Sequence, residues 1–175
     1  MVRNKPQPNP DKPEVSRETR LLAWAGWQLQ VPANWHPVKM EGTFTKGSMF
    51  IGDDVSPYLM LRWWRPLLEG QKEFDIDSWL DSRFKKLHAL PQPHPPAPAG
   101  LDRTAWVEGL QTKKQKSRTI WYGYQASAET VIEVLMTSLT PPDIQTTIIT
   151  ELIPSLKLSL KGDPIPWSLF TTSFI

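Results

Sequence analysis

Alternating apolar and polar positions mark several β-strands in the first half of the chain. Residues 27–31 alternate with a period of two, which is typical of a half-buried strand. We interpret residues 36–40 and 48–51 as further strands, and residues 58–64, which are mostly apolar, as a central one. Between the last two lies the acidic pair Asp53-Asp54. We interpret this pair as turn residues rather than as calcium ligands.

The period becomes helical between residues 74 and 90. Asp75 is the predicted N-cap, Asp77 follows in the first turn, and Pro91 ends the helix. The predicted buried side recurs every three or four residues. It consists of Ile76, Trp79, Leu80, Phe84, Leu87 and Leu90.

Strand patterns return in the second half of the chain, over residues 104–112, 117–126 and 130–137. Three such runs joined by short turns predict an antiparallel meander. A second helix is predicted to begin at Thr140 as its cap, with Pro141 at the first position. The order of elements predicts an α+β domain with a single antiparallel sheet and helices packed on it.

Proline divides the chain into segments. The sequence holds 18 prolines in 175 residues, and many of them fall in residues 1–20 and 91–100. We predict a disordered N-terminal arm over 1–20 and a domain over 21–160 that contains a Pro-rich extended connector at 91–100. Residues 161–175 are interpreted either as a C-terminal strand or as the start of a truncated second repeat.

Composition argues against most classes of enzyme. The chain has no cysteine, and its three histidines have no spacing typical of a metal site. Glycine-rich phosphate loops and a nucleophile elbow are also missing from the sequence. We therefore predict no catalytic residue, no metal and no cofactor. With no secretion signal and no long apolar run, the expected location is cytoplasmic.

Two groups of residues are candidate binding sites. Adjacent tryptophans on a strand point to opposite faces of its sheet, so one of them can line a ligand groove if that face is open. The predicted groove residues are Trp35, Trp63 and Trp64. A cluster of cations on a predicted hairpin is a candidate contact for nucleic acid or an acidic partner, although lysine-rich turns also protect sheet edges. This cluster consists of Lys113, Lys114, Lys116 and Arg118. The formal net charge of +2 makes nucleic acid the less favoured partner.

The order of elements resembles the PsbP-like fold, which is shared with the bacterial DcrB-like proteins. The matching features are the Val31-Pro-Ala-Asn-Trp35 turn, the hairpin before strand 58–64, the Asp75-led helix with Trp79, and a final helix that ends near Ser155. This resemblance implies an α/β/α sandwich that serves as a binding or assembly module, mostly without catalysis. The expected function is thus a non-enzymatic binding or assembly module with a protein partner. The alternatives are a small-molecule-binding domain or weak enzyme with a tryptophan-lined groove, and nucleic-acid contact through the basic hairpin.

Overall fold

The structure is a computed structural model that describes residues 15–110, 117–137 and 139–159. Its strands form two sheets, one of three strands and one of six. The small sheet has the order β1-β2-β9 and the large sheet has the order β3-β4-β5-β8-β7-β6, with antiparallel pairing throughout. The strands are β1 (Thr19–Trp24), β2 (Trp27–Pro32), β3 (His36–Gly42), β4 (Lys46–Gly52), β5 (Pro57–Trp64), β6 (Arg103–Leu110), β7 (Arg118–Gln125), β8 (Thr130–Thr137) and β9 (Lys157–Leu158).

The predicted single sheet is therefore wrong. Strand β2 does not join the large sheet. Instead it folds back on β1 through the two-residue turn Ala25-Gly26, where both residues have positive φ angles of 48° and 82°. Such a turn matches the twist of a tight hairpin, so the two strands pair with each other. Strand β9 then pairs with the other side of β2 and completes a separate three-stranded sheet.

Helices occupy both sides of the large sheet. Helix α1 (Ile76–Leu87) begins at Asp75, whose side chain accepts a hydrogen bond from the Asp77 backbone N–H, as predicted. The second helical segment comprises α2 (Pro142–Thr147), a π-helical turn (Ile148–Leu152) and α3 (Ile153–Ser155). The prediction that Thr140 caps this segment is wrong, because its hydroxyl donates to the Tyr58 carbonyl at 2.7 Å and Pro141 occupies the cap position.

Two hydrophobic clusters define the layers. The larger cluster lies between the two sheets and includes buried side chains of the second helical segment, such as Ile144 and Leu152. The smaller cluster lies between α1 and the opposite face of the large sheet, where Leu80 and Phe84 contact residues of β6 and β7. The large sheet is thus covered on one face by α1 and on the other by the small sheet and the second helical segment.

The Pro-rich connector is fixed to the large sheet. The Gln92 N–H donates to the carbonyl of Trp106 in β6 at 2.8 Å, and the Trp106 indole N–H donates to the Pro93 carbonyl at 3.1 Å. The Trp121 indole in β7 donates to the Pro96 carbonyl at 2.7 Å, and Pro98 is buried. Proline has a backbone carbonyl acceptor but no N–H donor, so this segment can accept hydrogen bonds from the two indoles without belonging to a strand.

Two of the predicted segments extend beyond the described residues. Of the predicted arm, residues 1–14 lie outside them, and β1 begins at Thr19. All of the predicted C-terminal segment, residues 161–175, also lies outside them.

Candidate functional site

A groove of about 290 Å³ opens beside α1 on the large sheet. Its walls come from four elements that are distant in sequence, since β4, β5, α1 and β8 all contribute side chains. The lining residues are Lys46, Gly47, Arg62, Trp63, Trp64, Trp79, Arg83, Val131 and Glu133. We call this cavity the Trp64 groove.

Aromatic rings build one wall of the Trp64 groove. The ring centroids of Trp64 and Trp79 lie 5.9 Å apart, and Phe74 contacts Trp64 edge-on at 5.4 Å. Behind them, Tyr122 of β7 meets Trp79 edge-on at 5.7 Å. Edge-on and tilted pairs at these distances are favourable, so the rings hold one another in place. Phe74 directly precedes the N-cap of α1, and Trp79 lies in its first turns, so the start of the helix positions this wall.

Charged groups build the other wall around one buried carboxylate. Glu133 of β8 lies opposite Arg62 of β5 in the strand register. One carboxylate oxygen lies 3.1 Å from Nη1 of Arg62, and the other lies 3.1 Å from Nη2 of Arg83 in α1. The Glu133 side chain is only 8% exposed, whereas those of Arg62 and Arg83 are 48% and 34% exposed. A buried carboxylate requires such partners, and it fixes both guanidinium groups at the groove.

The groove carries a surplus of positive charge. Lys46, Arg62 and Arg83 supply three cations, and Glu133 supplies the one anion among the lining residues. Although burial opposes it, hydrogen bonds and charge from Tyr122 and Glu133 raise the pKa of the Arg83 guanidinium. Burial, together with the Glu133 charge, raises the pKa of the Tyr122 hydroxyl to about 12. At neutral pH Arg83 is therefore charged and Tyr122 is neutral. The surplus of cationic side chains suits the groove to binding an anion.

Of the three predicted tryptophans, the structure places the ring of Trp64 in the groove wall. Trp64 is half-buried there. Trp63 is also a lining residue, but its ring is buried in the larger cluster, 6.1 Å from the ring of Trp27, and its indole donates to the Thr43 carbonyl at 2.8 Å. A Cβ at Gly47 would lie 2.3 Å from Cζ2 of Trp63, so this position has room only for glycine. Trp35 does not reach the groove. It is fully buried between the sheets, with its ring 5.0 Å from that of Tyr58.

The predicted basic hairpin is described only at its end. Lys113, Lys114 and Lys116 lie outside the described residues, and Arg118 begins β7 opposite Thr137.

Sequence reasoning missed the charged half of the groove. Arg62 and Glu133 each interrupt an otherwise apolar strand. A charged residue among apolar strand residues, such as the buried Glu133, is a signal of a specific partner. Arg83 was visible only as a basic residue of the predicted helix. Which of these residues meet depends on the pairing of β5 with β8, and the strand patterns do not specify that pairing.

Comparison with known proteins adds no family assignment, because no family model and no curated protein matches the chain. Within the described ranges, the helices are all too short or too polar to cross a membrane. The described residues also contain no group of three or more His, Asp or Glu side chains that could hold a metal ion.

Proposed function

We propose that the protein is a small-molecule-binding domain whose ligand occupies the Trp64 groove. The observation that carries this proposal is the convergence of tryptophan rings and fixed guanidinium groups on one cavity. Ligand sites are commonly concave, largely apolar and supplied with a few oriented polar groups, and this cavity combines those properties. Glu133, the carboxylate of the lining, is held between Arg62 and Arg83, so we propose binding rather than catalysis.

A thermal-shift screen against organic acids, bases and neutral compounds tests this function, with hits confirmed by calorimetry. We expect the Trp79→Leu variant to bind the hits at least about tenfold more weakly, because it loses an aromatic anchor. Trp24→Leu is the matched control, since Trp24 is also half-buried but lies in β1, away from the groove. Circular dichroism verifies that both variants fold. A screen without hits, or hits that bind Trp79→Leu and the original protein equally, would contradict the proposal.

Assembly with a protein partner is the second candidate function. The observation in its favour is the edge strand β3, on which Val38 and Met40 are 48% and 40% exposed. An edge strand offers unpaired backbone groups, and exposed apolar side chains add contact area. Val38 and Met40 are not among the residues that line the Trp64 groove, so substituting them tests assembly separately from ligand binding.

A further inference from the structure

The walls of the Trp64 groove differ in chemistry, and this difference constrains the ligand. We infer that the ligand is a planar organic anion, with its ring against Trp64 and Trp79 and its carboxylate or phosphate group at Arg62, Arg83 and Lys46. This inference rests on the proposed function and names the class of molecule bound.

The charge of the ligand follows from the surplus of cations. Glu133 contacts Arg62 through Nη1 and Arg83 through Nη2. A guanidinium group has five N–H donors, so each arginine retains donors beyond those that Glu133 uses. Both guanidinium groups are already fixed by Glu133, which lowers the entropy cost of binding an anion. A cationic ligand would instead have three cations of the lining close to it.

The planar shape follows from the aromatic wall. The rings of Trp64 and Trp79 are tilted by 40° to each other, and Phe74 supports both from 5.4 and 6.4 Å. A flat ring stacks on an exposed indole face with a larger contact area than a puckered ring does, and aromatic pairs have additional favourable energy.

The size of the groove limits the ligand further. Its volume of about 290 Å³ lies near the lower end for ligand pockets. This favours a ligand of one or two fused rings over a nucleotide-sized molecule.

Calorimetry with four probes tests the inference. Naphthoate and naphthyl phosphate carry a planar ring and an anion, and together they distinguish a carboxylate from a phosphate ligand. Naphthylmethanol keeps the ring without the charge, and decahydronaphthoate keeps the charge without the planar ring. We expect at least one of the two planar anions to bind, and both other probes to bind at least about tenfold more weakly. Increasing salt should weaken the binding of the anion.

The charged wall is tested with a matched pair of variants. Arg62→Gln should weaken binding of the planar anion about tenfold, because it removes a charge-assisted contact. Arg103→Gln should leave binding unchanged. Arg103 has nearly the same exposure as Arg62, at 46%, and also pairs with a carboxylate, that of Asp77 at 2.8 Å, but it lies outside the groove lining.

The possible failures are distinguishable. Equal binding of naphthylmethanol and naphthoate, or equal loss in both arginine variants, would overturn the anion inference and leave the proposed function intact. If decahydronaphthoate binds as tightly as naphthoate, the inference that the ligand has a planar ring is wrong. A screen whose hits in the groove are all cations would overturn the inference alone, whereas a screen without any hit in the groove would overturn both.

Discussion

Asp53 shows how one side chain organises a turn. Its carboxylate accepts hydrogen bonds from the backbone N–H groups of Val55 and Ser56 at 2.8 and 2.9 Å, and from the Tyr58 hydroxyl at 2.7 Å. Partial burial opposes ionisation, but these hydrogen bonds outweigh it and keep the pKa of Asp53 below its ordinary value. The prediction that Asp53-Asp54 are turn residues is confirmed for Asp53, whose role is local and structural.

The lowered pKa of Asp53 makes its contribution to stability depend on pH. We expect Asp53→Asn to reduce the free energy of unfolding by about 1 kcal/mol at neutral pH, since it replaces a charged acceptor. The stabilisation by Asp53 is present above the unfolded-state pKa of about 4 and is lost as the pH falls through the lower folded-state pKa. The difference in the free energy of unfolding between the variant and the original protein should therefore become smaller at acidic pH.

Urea denaturation at several pH values measures this difference. Asp54→Asn is the control, because the adjacent carboxylate is 97% exposed and should change stability by less than about 0.5 kcal/mol at any pH. If Asp53→Asn lowers the free energy of unfolding by the same amount down to strongly acidic pH, the stabilisation does not come from the charged form of Asp53.

At the scale of elements, the connector at 91–100 behaves as part of the large sheet. Its carbonyl groups at Pro93 and Pro96 accept from the indoles of Trp106 and Trp121, both of which are buried. Without the connector, two buried indole N–H groups would lose their acceptors, and each unsatisfied group is costly. Proline also restricts the unfolded chain, so less entropy is lost when the connector orders.

Replacing residues 91–98 with a Gly/Ser segment of equal length tests this role. We expect the free energy of unfolding to fall by about 2 kcal/mol, because the replacement loses the rigidity of proline and weakens the alignment of the two indole acceptors. Thermal and urea denaturation measure the change. An unchanged melting temperature would show that the segment is a passive linker.

The elements differ in how far the sequence predicts them. Helix α1 was predictable because Asp75, Trp79 and Phe84 act locally, within the span of the helix itself. Strand β1 was not, because Leu21, Leu22 and Ala23 are consecutive apolar residues without alternation. The turn Ala25-Gly26 holds the one local signal for its hairpin. Separation into two sheets depends on pairing between distant strands, which periodicity does not encode.

The residues of the candidate site also divide into those that local sequence patterns predict and those that long-range contacts place. Trp64 was predicted from its position in an apolar strand, since that argument is local. Trp35 was assigned to the same groove, but long-range packing against Tyr58 buries it between the sheets. The pair of Arg62 and Glu133 joins residues 71 positions apart, and it exists only because β5 and β8 are neighbours.

At the scale of the whole molecule, Arg65 ties the two sheets together. It is only 3% exposed, and its guanidinium donates to the carbonyls of Ala25 in the β1–β2 turn and of Phe44 before β4. Its charged end also lies 4.0 Å from the centroid of the Phe44 ring. Gly26 leaves room for it, because a Cβ there would lie 2.5 Å from Nη2 of Arg65.

Substituting Arg65 tests whether the two sheets depend on this contact. We expect Arg65→Lys to lower the free energy of unfolding by about 2 kcal/mol, because lysine lacks the planar fork that reaches both carbonyls. Arg17→Lys is the control, since Arg17 is exposed. In the original protein, tryptophan fluorescence and far-UV circular dichroism should report one coincident transition, because one core joins the two sheets. A stability equal to that of the Arg17 control would contradict the role assigned to Arg65.

The attachment of the connector to β6 also makes the two edges of the large sheet unequal. Strand β6 is contacted at its outer side by Gln92, whereas β3 is the terminal strand at the opposite edge. A fibre that grows by pairing of edge strands between copies needs two accessible edges on every copy. A large sheet with one accessible edge can pair with a second copy at β3, and the chain of copies then ends there. We therefore expect the hydrogen bond from Gln92 to hinder strand pairing at β6, which leaves β3 as the edge of the large sheet better suited to pairing with another strand.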